Sequence, residues 1–272
     1  MKDIKIFANH AHVFSKYAKT AAFEDGTVGA LRKIMDECGI SRCVCFAEFS
    51  EWGWVNYDVN EYLYKEIKNK QEFVGFGVID FKKNNFAAQV RKIADFGFKG
   101  IKIHPQFQQI RVDSAEAYRV YEHAEKAGLF ITFHTGIHGN RISDFGLLAF
   151  DEISHCFPAL SYSLEHVGGY CFFNEALAVI VNRKWLGGEG KAYAGLTSVF
   201  DNDANRAWYL DGKKIADLLH LAGGDLCIFG LDFPWNGADK IKEAIACVKQ
   251  MNISEEVKEK ILGANLKRAL KL

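Results

Sequence analysis

Short apolar runs rich in β-branched and aromatic residues recur along the 272-residue chain. They are IKIF from Ile4, CVCFAEF from Cys43, FVGFGVIDF from Phe73, GIKIH from Gly100, LFITFH from Leu129, SYSLEH from Ser161, AYAGLTSV from Ala192 and LCIFGLD from Leu226. Near-continuous apolar runs of this length suit parallel strands buried on both faces. Between them the period changes to that of a helix. In VGALRKIMDECG, the residues Val28, Leu31, Ile34 and Met35 share one face and Gly39 supplies a stop. FAAQVRKIADFG repeats the design, and SAEAYRVYEHAEKAG opens on Ser114, carries Glu116 near its start and stops at Gly128. ADKIKEAIACVKQM and SEEVKEKILGANLKRALKL follow the eighth run as closing helices. Strand and helix alternating eight times predict an α/β fold, the (β/α)8 TIM barrel. With three prolines and no Gly/Ser-rich linker, residues 1–272 are expected to form a single domain. A doubly wound open sheet would alternate in a similar way. The turn after the first run, however, is rich in histidine and lacks the G-x-G-x-x-G that supports a dinucleotide fold.

A barrel makes a further demand, that chemistry sits at the C-terminal ends of the strands. The polar residues obey it. His10 and His12 close the first strand, Lys102 and His104 the fourth, His134 the fifth, His166 the sixth and Asp232 the eighth. Residues i and i+2 of a strand face the same way, so His10 and His12 can share one ligand, and Lys102 and His104 one side. Any one of these histidines alone is more often a hydrogen-bonded core residue than a ligand. Several imidazoles and a carboxylate converging on one rim are different, because burying them unpartnered costs several kcal/mol, on the order of magnitude of a lost polar contact each. The set asks for a cation. Three His and one Asp with an open position form a catalytic metal arrangement, so one divalent ion is expected, zinc first and manganese second.

Composition narrows the picture without adding chemistry. The 34 basic and 34 acidic residues cancel, which leaves no electrostatic footprint for nucleic acid or an anionic membrane. No apolar run reaches the roughly 20 residues of a membrane helix. Strand-like sequence already begins at Ile4, which argues against a charged and then apolar leader. The seven cysteines contain no C-x-x-C pair and mostly fall within apolar patterns, where they read as small hydrophobes in a reducing compartment. The expectation is a cytoplasmic enzyme acting on a small molecule, without nucleic-acid or membrane partners.

The ordered set of H-x-H on the first strand, histidines on the fifth and sixth, and FGLDFP on the eighth resembles the amidohydrolase superfamily. GFKGIKIHP, FITFHTG, LEHVGG, CIFGLDFPW and ILGANLKRAL are similar to its amidohydrolase 2 branch, which holds aminocarboxymuconate-semialdehyde decarboxylase and related metal-dependent hydrolases. The resemblance runs from the first strand to the last helix. It implies His10, His12, His134 and Asp232 as metal ligands. It implies His166 as the acid/base or water-orienting histidine, and Asp232 as acceptor of a proton from the attacking water. Asn9 is a departure, since the family usually carries Asp before the first histidine. Lys102 has two readings. It stands on the strand that bears the bridging carbamylated lysine of binuclear relatives, but this branch usually holds one metal, which favours a substrate-facing or salt-bridged lysine.

Around the rim, Trp52, Trp54, Tyr57 and Trp235 would wall a flat substrate, or pack against neighbouring loops or the second subunit of a homodimer. Arg141, seven residues past His134, would clamp a substrate carboxylate; a surface ion pair is the alternative. The substrate-facing set is therefore Lys102, His104, Arg141, Trp54 and Trp235. Two chemistries remain open. One is hydrolysis of a small amide, ester or lactone by a metal-activated water. The other is metal-dependent, non-oxidative decarboxylation of an aromatic or dienoic acid. A metal-dependent binding protein without turnover is a third reading, which the intact ligand set opposes.

Overall fold

A computed structural model of the chain describes residues 4–16, 18, 25–51, 55–139, 141–142 and 146–272. Eight parallel strands close into a barrel in chain order. They are β1 (Ile6–His12), β2 (Ile40–Phe46), β3 (Phe73–Val78), β4 (Gly100–Ile103), β5 (Phe130–His134), β6 (Tyr162–Glu165), β7 (Ala192–Leu196) and β8 (Cys227–Phe233). Every apolar run named above forms one of them. β2 begins earlier than its apolar stretch, because its two polar residues sit at the bottom rim. There the Ser41 hydroxyl donates to the Ile6 carbonyl at 2.7 Å, and the Arg42 guanidinium lies over the Phe7 ring.

The helices are α1 (Val28–Cys38), α2 (Val59–Ile67), α3 (Phe86–Asp95), α4 (Pro105–Gln108), α5 (Ala115–Ala127), α6 (Ala149–Cys156), α7 (Gly169–Leu186), α8 (Gly212–Leu221), α9 (Ala238–Gln250), α10 (Glu255–Glu259) and α11 (Asn265–Ala269). Thr27, Asp58, Ser114, Asp211 and Ser254 each accept a backbone N–H of the first turn, which satisfies donors that a helix start leaves unpaired. Gly39 and Gly128 end α1 and α5 in the left-handed conformation. The closing segment is interrupted at 260–264 by a wider turn. Gly263 comes so close to β1 there that a Cβ would stand 2.8 Å from the Phe7 nitrogen. No helix among the described residues is long and apolar enough to cross a membrane.

A column of aromatic rings joins four strands. Phe46, Phe76, Phe130 and Tyr193 follow one another at centroid separations of 5.8, 6.1 and 5.9 Å. Phe46 also meets His10 and His12, at 5.1 and 5.2 Å, so the apolar column ends at a polar rim. The column needs space that Gly100 supplies, since a Cβ there would stand 2.4 Å from the Phe130 carbonyl oxygen and 2.5 Å from the Phe76 ring. Gly100→Ala is therefore expected to lower the unfolding free energy by about 1–3 kcal/mol through overpacking. A denaturant midpoint equal to wild type would show that the column has room to spare.

Candidate metal centre

β1 is not a regular strand where it carries its histidines. Its register against both β2 and β8 shifts around Asn9 and His10, and His10 has φ +64°. This bulge re-aims the His10 ring, and His10 Nε2 comes to lie 3.1 Å from His12 Nε2. On β8, Asp232 is also left-handed, with φ +58°. Its Oδ1 stands 3.3 Å from His10 Nε2, while Oδ2 accepts the Ser198 hydroxyl at 2.7 Å. The three ligand atoms of His10, His12 and Asp232 all lie within 4.8 Å of one another.

What holds His10 is a residue that the sequence did not single out. Glu165, at the end of β6, is fully buried. Its Oε2 accepts His10 Nδ1–H at 2.8 Å and the Thr197 hydroxyl at 2.6 Å. Its Oε1 accepts the Asn9 amide at 2.9 Å and the Ser163 hydroxyl at 2.6 Å. With the proton fixed on Nδ1, His10 presents the Nε2 lone pair to the pocket, as a metal-binding imidazole requires. The departure at Asn9 now has a physical reason. A carboxylate at that position would face Glu165 across 2.9 Å, whereas the amide donates to it. Gly195 on β7 makes the space, because a Cβ there would stand 2.5 Å from the Glu165 carboxylate.

Beneath the pair lies Lys102, completely buried. Its ammonium is 3.4 Å from His10 Nε2 and 4.9 Å from the Phe46 ring centroid. Burial lowers its pKa to about 8, opposed by the charges of Glu165 and Asp232. Burial, and then Lys102, also hold His10 well below the ordinary imidazole range, so it is neutral at pH 7. Burial raises the Asp232 carboxyl to about 6, against the Ser198 hydrogen bond and the Lys102 charge. Two imidazole nitrogens 3.1 Å apart, with a carboxylate oxygen beside them, suit zinc or manganese, so the residues present fit a divalent ion.

His166 follows β6 directly. Its Nδ1–H donates to the Thr197 carbonyl at 2.8 Å, which leaves Nε2 as an acceptor. Burial, reinforced by Lys102, lowers its pKa to about 3, so this ring is also neutral. It stands 5.3 Å from the His10 ring and 4.8 Å from that of His134. His134 in turn stacks on His104 at 3.9 Å, and His138 meets the two rings edge-on at 5.0 and 4.6 Å. All these groups face one cavity of about 280 Å³, whose other walls include Phe49, Phe107, Asn205, Trp208 and Trp235. A larger hollow of about 640 Å³ opens among the N-terminal ends of β2, β3 and β4, beside Arg42 and Lys99, but no histidine lines it. The convergence of titratable groups, not the volume, identifies the smaller cavity as the site.

The residues expected from the sequence divide as follows. His10, His12 and Asp232 meet as one ligand group, while His134 shares the pocket but groups with His104 and His138. Trp235 is wall, 4.9 Å from the His12 ring. Lys102 lies under His10 and does not line the cavity. Arg141 is exposed and is not among the lining residues. Trp54, like Trp52, lies outside the described residues. Glu165, Ser198 and His138 are additions. The signal for Glu165 was present, a carboxylate between Leu164 and His166 in an otherwise buried strand.

The amidohydrolase family model matches residues 47–272. The chain belongs to the amidohydrolase family. It is an enzyme of the amidohydrolase 2 branch, and the match begins after the strand that carries His10 and His12. No curated protein sequence matches the chain. Among solved structures it resembles an uncharacterised TIM-barrel protein from Bordetella bronchiseptica, with 20% identity, 98% of each chain covered and a TM-score of 0.75. A dihydroxybenzoic acid decarboxylase from Polaromonas, solved with bound manganese and 2-nitroresorcinol, has 15% identity over 98% of this chain and 97% of that one, with a TM-score of 0.71. A putative 2-pyrone-4,6-dicarboxylic acid hydrolase from Pseudomonas putida has 16% identity, 98% coverage of both chains and a TM-score of 0.70. At these identities the likeness establishes the barrel.

Glu165→Gln keeps the shape of the side chain but removes its charge and turns one acceptor into a donor. Zinc affinity, read by competition with a chelating dye, is expected to fall 10–100-fold, roughly the effect of losing such an outer partner. Undiminished affinity would mean that His10 does not depend on Glu165 for its orientation.

Proposed function

We propose that this enzyme is a metal-dependent hydrolase of a small, ring-bearing ester, lactone or amide. The observation that carries the reading is the convergence of His10 Nε2, His12 Nε2 and Asp232 Oδ1 beside the His166 acceptor. A divalent ion held by those three atoms would act as a Lewis acid on a carbonyl and lower the pKa of water toward about 7. Asp232 presents the carboxylate nearest this group and would accept a proton from the attacking water. Ser198 occupies its Oδ2, which leaves Oδ1 turned toward His10. His166 has its only proton committed to Thr197, so it accepts rather than donates. That tautomer supports a role in orienting water and does not support polarising the substrate carbonyl.

A second reading, non-oxidative decarboxylation of an aromatic acid, is favoured by the flat walls. Phe49, Phe107, Trp208 and Trp235 bound a cavity with room for one ring. The Polaromonas relative is named for such a decarboxylation, and the Pseudomonas putida relative for hydrolysis of a ring-borne dicarboxylic acid. Assays of zinc- and manganese-loaded protein on pyrone and lactone carboxylates, simple esters and amides, and dihydroxybenzoates separate the two. Hydrolysis that chelator abolishes is the expected result; release of carbon dioxide alone would select the second reading. His166→Ala is expected to lower turnover by about 10²-fold, through loss of the acceptor that orients the water. Unchanged turnover would remove His166 from the chemistry. His10→Ala is expected to lose bound metal, and full retention would sink the centre itself.

A further inference from the structure

We propose that the hollow at the N-terminal mouth of the barrel is a second binding site, which takes a small anion with an apolar body through Arg42 and Lys99. The hollow measures about 640 Å³, a size that suits a small-molecule ligand, and no histidine borders it. Four positions of β2 separate Arg42 from Phe46, whose ring meets His10 and His12. That is about 13 Å of strand, so a molecule held at Arg42 is not a ligand of the rim pocket. The site goes beyond the function proposed above and stands or falls without it.

Charge selects the sign of the ligand. The chain has equal numbers of basic and acidic residues, yet Arg42, Lys68, Lys70 and Lys99 border this hollow against one side-chain carboxylate, Glu72. That carboxylate is already taken, because Arg32, which does not line the hollow, pairs with it. Lys70 Nζ donates to the Glu66 carbonyl at 2.6 Å. Among the described residues, Arg42, Lys68 and Lys99 join no ion pair. Arg42 gives the sharpest signal. Its guanidinium stands 5.0 Å from the centroid of the Phe7 ring, and its Nε is buried with no hydrogen-bond partner. A buried donor left unpaired is costly and uncommon. The guanidinium edge is a fork matched to carboxylate or phosphate oxygens, and such an anion would supply the missing acceptor.

The floor selects the body of the ligand. Ile67, Phe73, Val74 and Phe98 are buried and border the hollow. Gly75 lets Phe98 lie there, since a Cβ on β3 at that position would stand 2.4 Å from the ring. Gly97, at φ +74°, has open space where a Cβ would be, so this side gives entry. An inorganic ion would leave the apolar floor wet, whereas a ring or short chain covers it.

Calorimetric titration of the zinc-loaded enzyme with benzoate and with phenyl phosphate tests the site. Inorganic phosphate and benzyl alcohol serve as controls that carry only the charge or only the body. Both aromatic anions are expected to bind, and the tighter of the two tells whether the site prefers a carboxylate or a phosphate. Arg42→Gln is expected to weaken this binding about 10–100-fold, the weight of a hydrogen bond to a charged group, while His12→Ala leaves it in place. Lys99→Gln changes an exposed residue without threatening the fold, and is expected to weaken binding about 2–5-fold. Binding that survives both of these substitutions and is lost in His12→Ala belongs to the rim and overturns the proposal. So does either control binding as tightly as the aromatic anions, or the absence of binding at millimolar concentration. Backbone amide resonances locate the ligand without any variant. Shifts at Gly75, Gly97 and Lys99 support the site, and shifts confined to Gly136 and Gly168, beside Trp208, overturn it.

Discussion

The site depends on one buried carboxylate. Glu165 is removed from water and carries four hydrogen bonds, from Asn9, His10, Ser163 and Thr197, which between them represent β1, β6 and the end of β7. A carboxylate in such a place is tolerable only because every acceptor direction is filled. Its placement fixes three things together: the His10 tautomer, the amide at Asn9 and the absence of a side chain at Gly195. Change any of these and the others lose their reason.

Around that anchor the backbone is held in conformations it would not adopt freely. Among the described residues, His10, His166, Val167, Ser198 and Asp232 all have positive φ, and all stand at the C-terminal ends of β1, β6, β7 or β8. Each such residue costs on the order of 1–3 kcal/mol unless its surroundings compel it. Val167, β-branched at φ +48°, is the least comfortable. The compulsion is visible in the hydrogen bonds. Thr135 accepts the Gly168 N–H at 2.8 Å, Thr197 fixes His166, and Ser198 ties Asp232 to Asn236.

The barrel was legible because parallel strands covered on both faces need almost uninterrupted apolar sequence, and the eight runs supply it. Most of the polar rim was legible for the related reason that His10, His12, His134 and Asp232 interrupt those runs at their ends. The rest depended on pairings between distant residues. The bulge at His10 arises from its registers with β2 and β8, which no local pattern encodes. Glu165 meets His10 across 155 positions of sequence, so its partner could not be read beside it. His138 lies off any strand, and only the left-handed turns around it bring its ring to His134. Arg141, reasonable by spacing, is exposed and does not line the cavity.

The seam between β1 and β8, where Asn9 pairs with Gly230 and Ala11 with Phe233, joins the first strand made to the last. His10 and Asp232 are separated by about 220 residues of chain. A nascent polypeptide therefore exposes the H-x-H pair long before the carboxylate that completes the trio exists. Contacts of such sequence separation form late and slowly. An ion chelated by all three atoms is thus a reporter of ring closure: it can be captured only after the eighth strand has docked, and it cannot template the steps before.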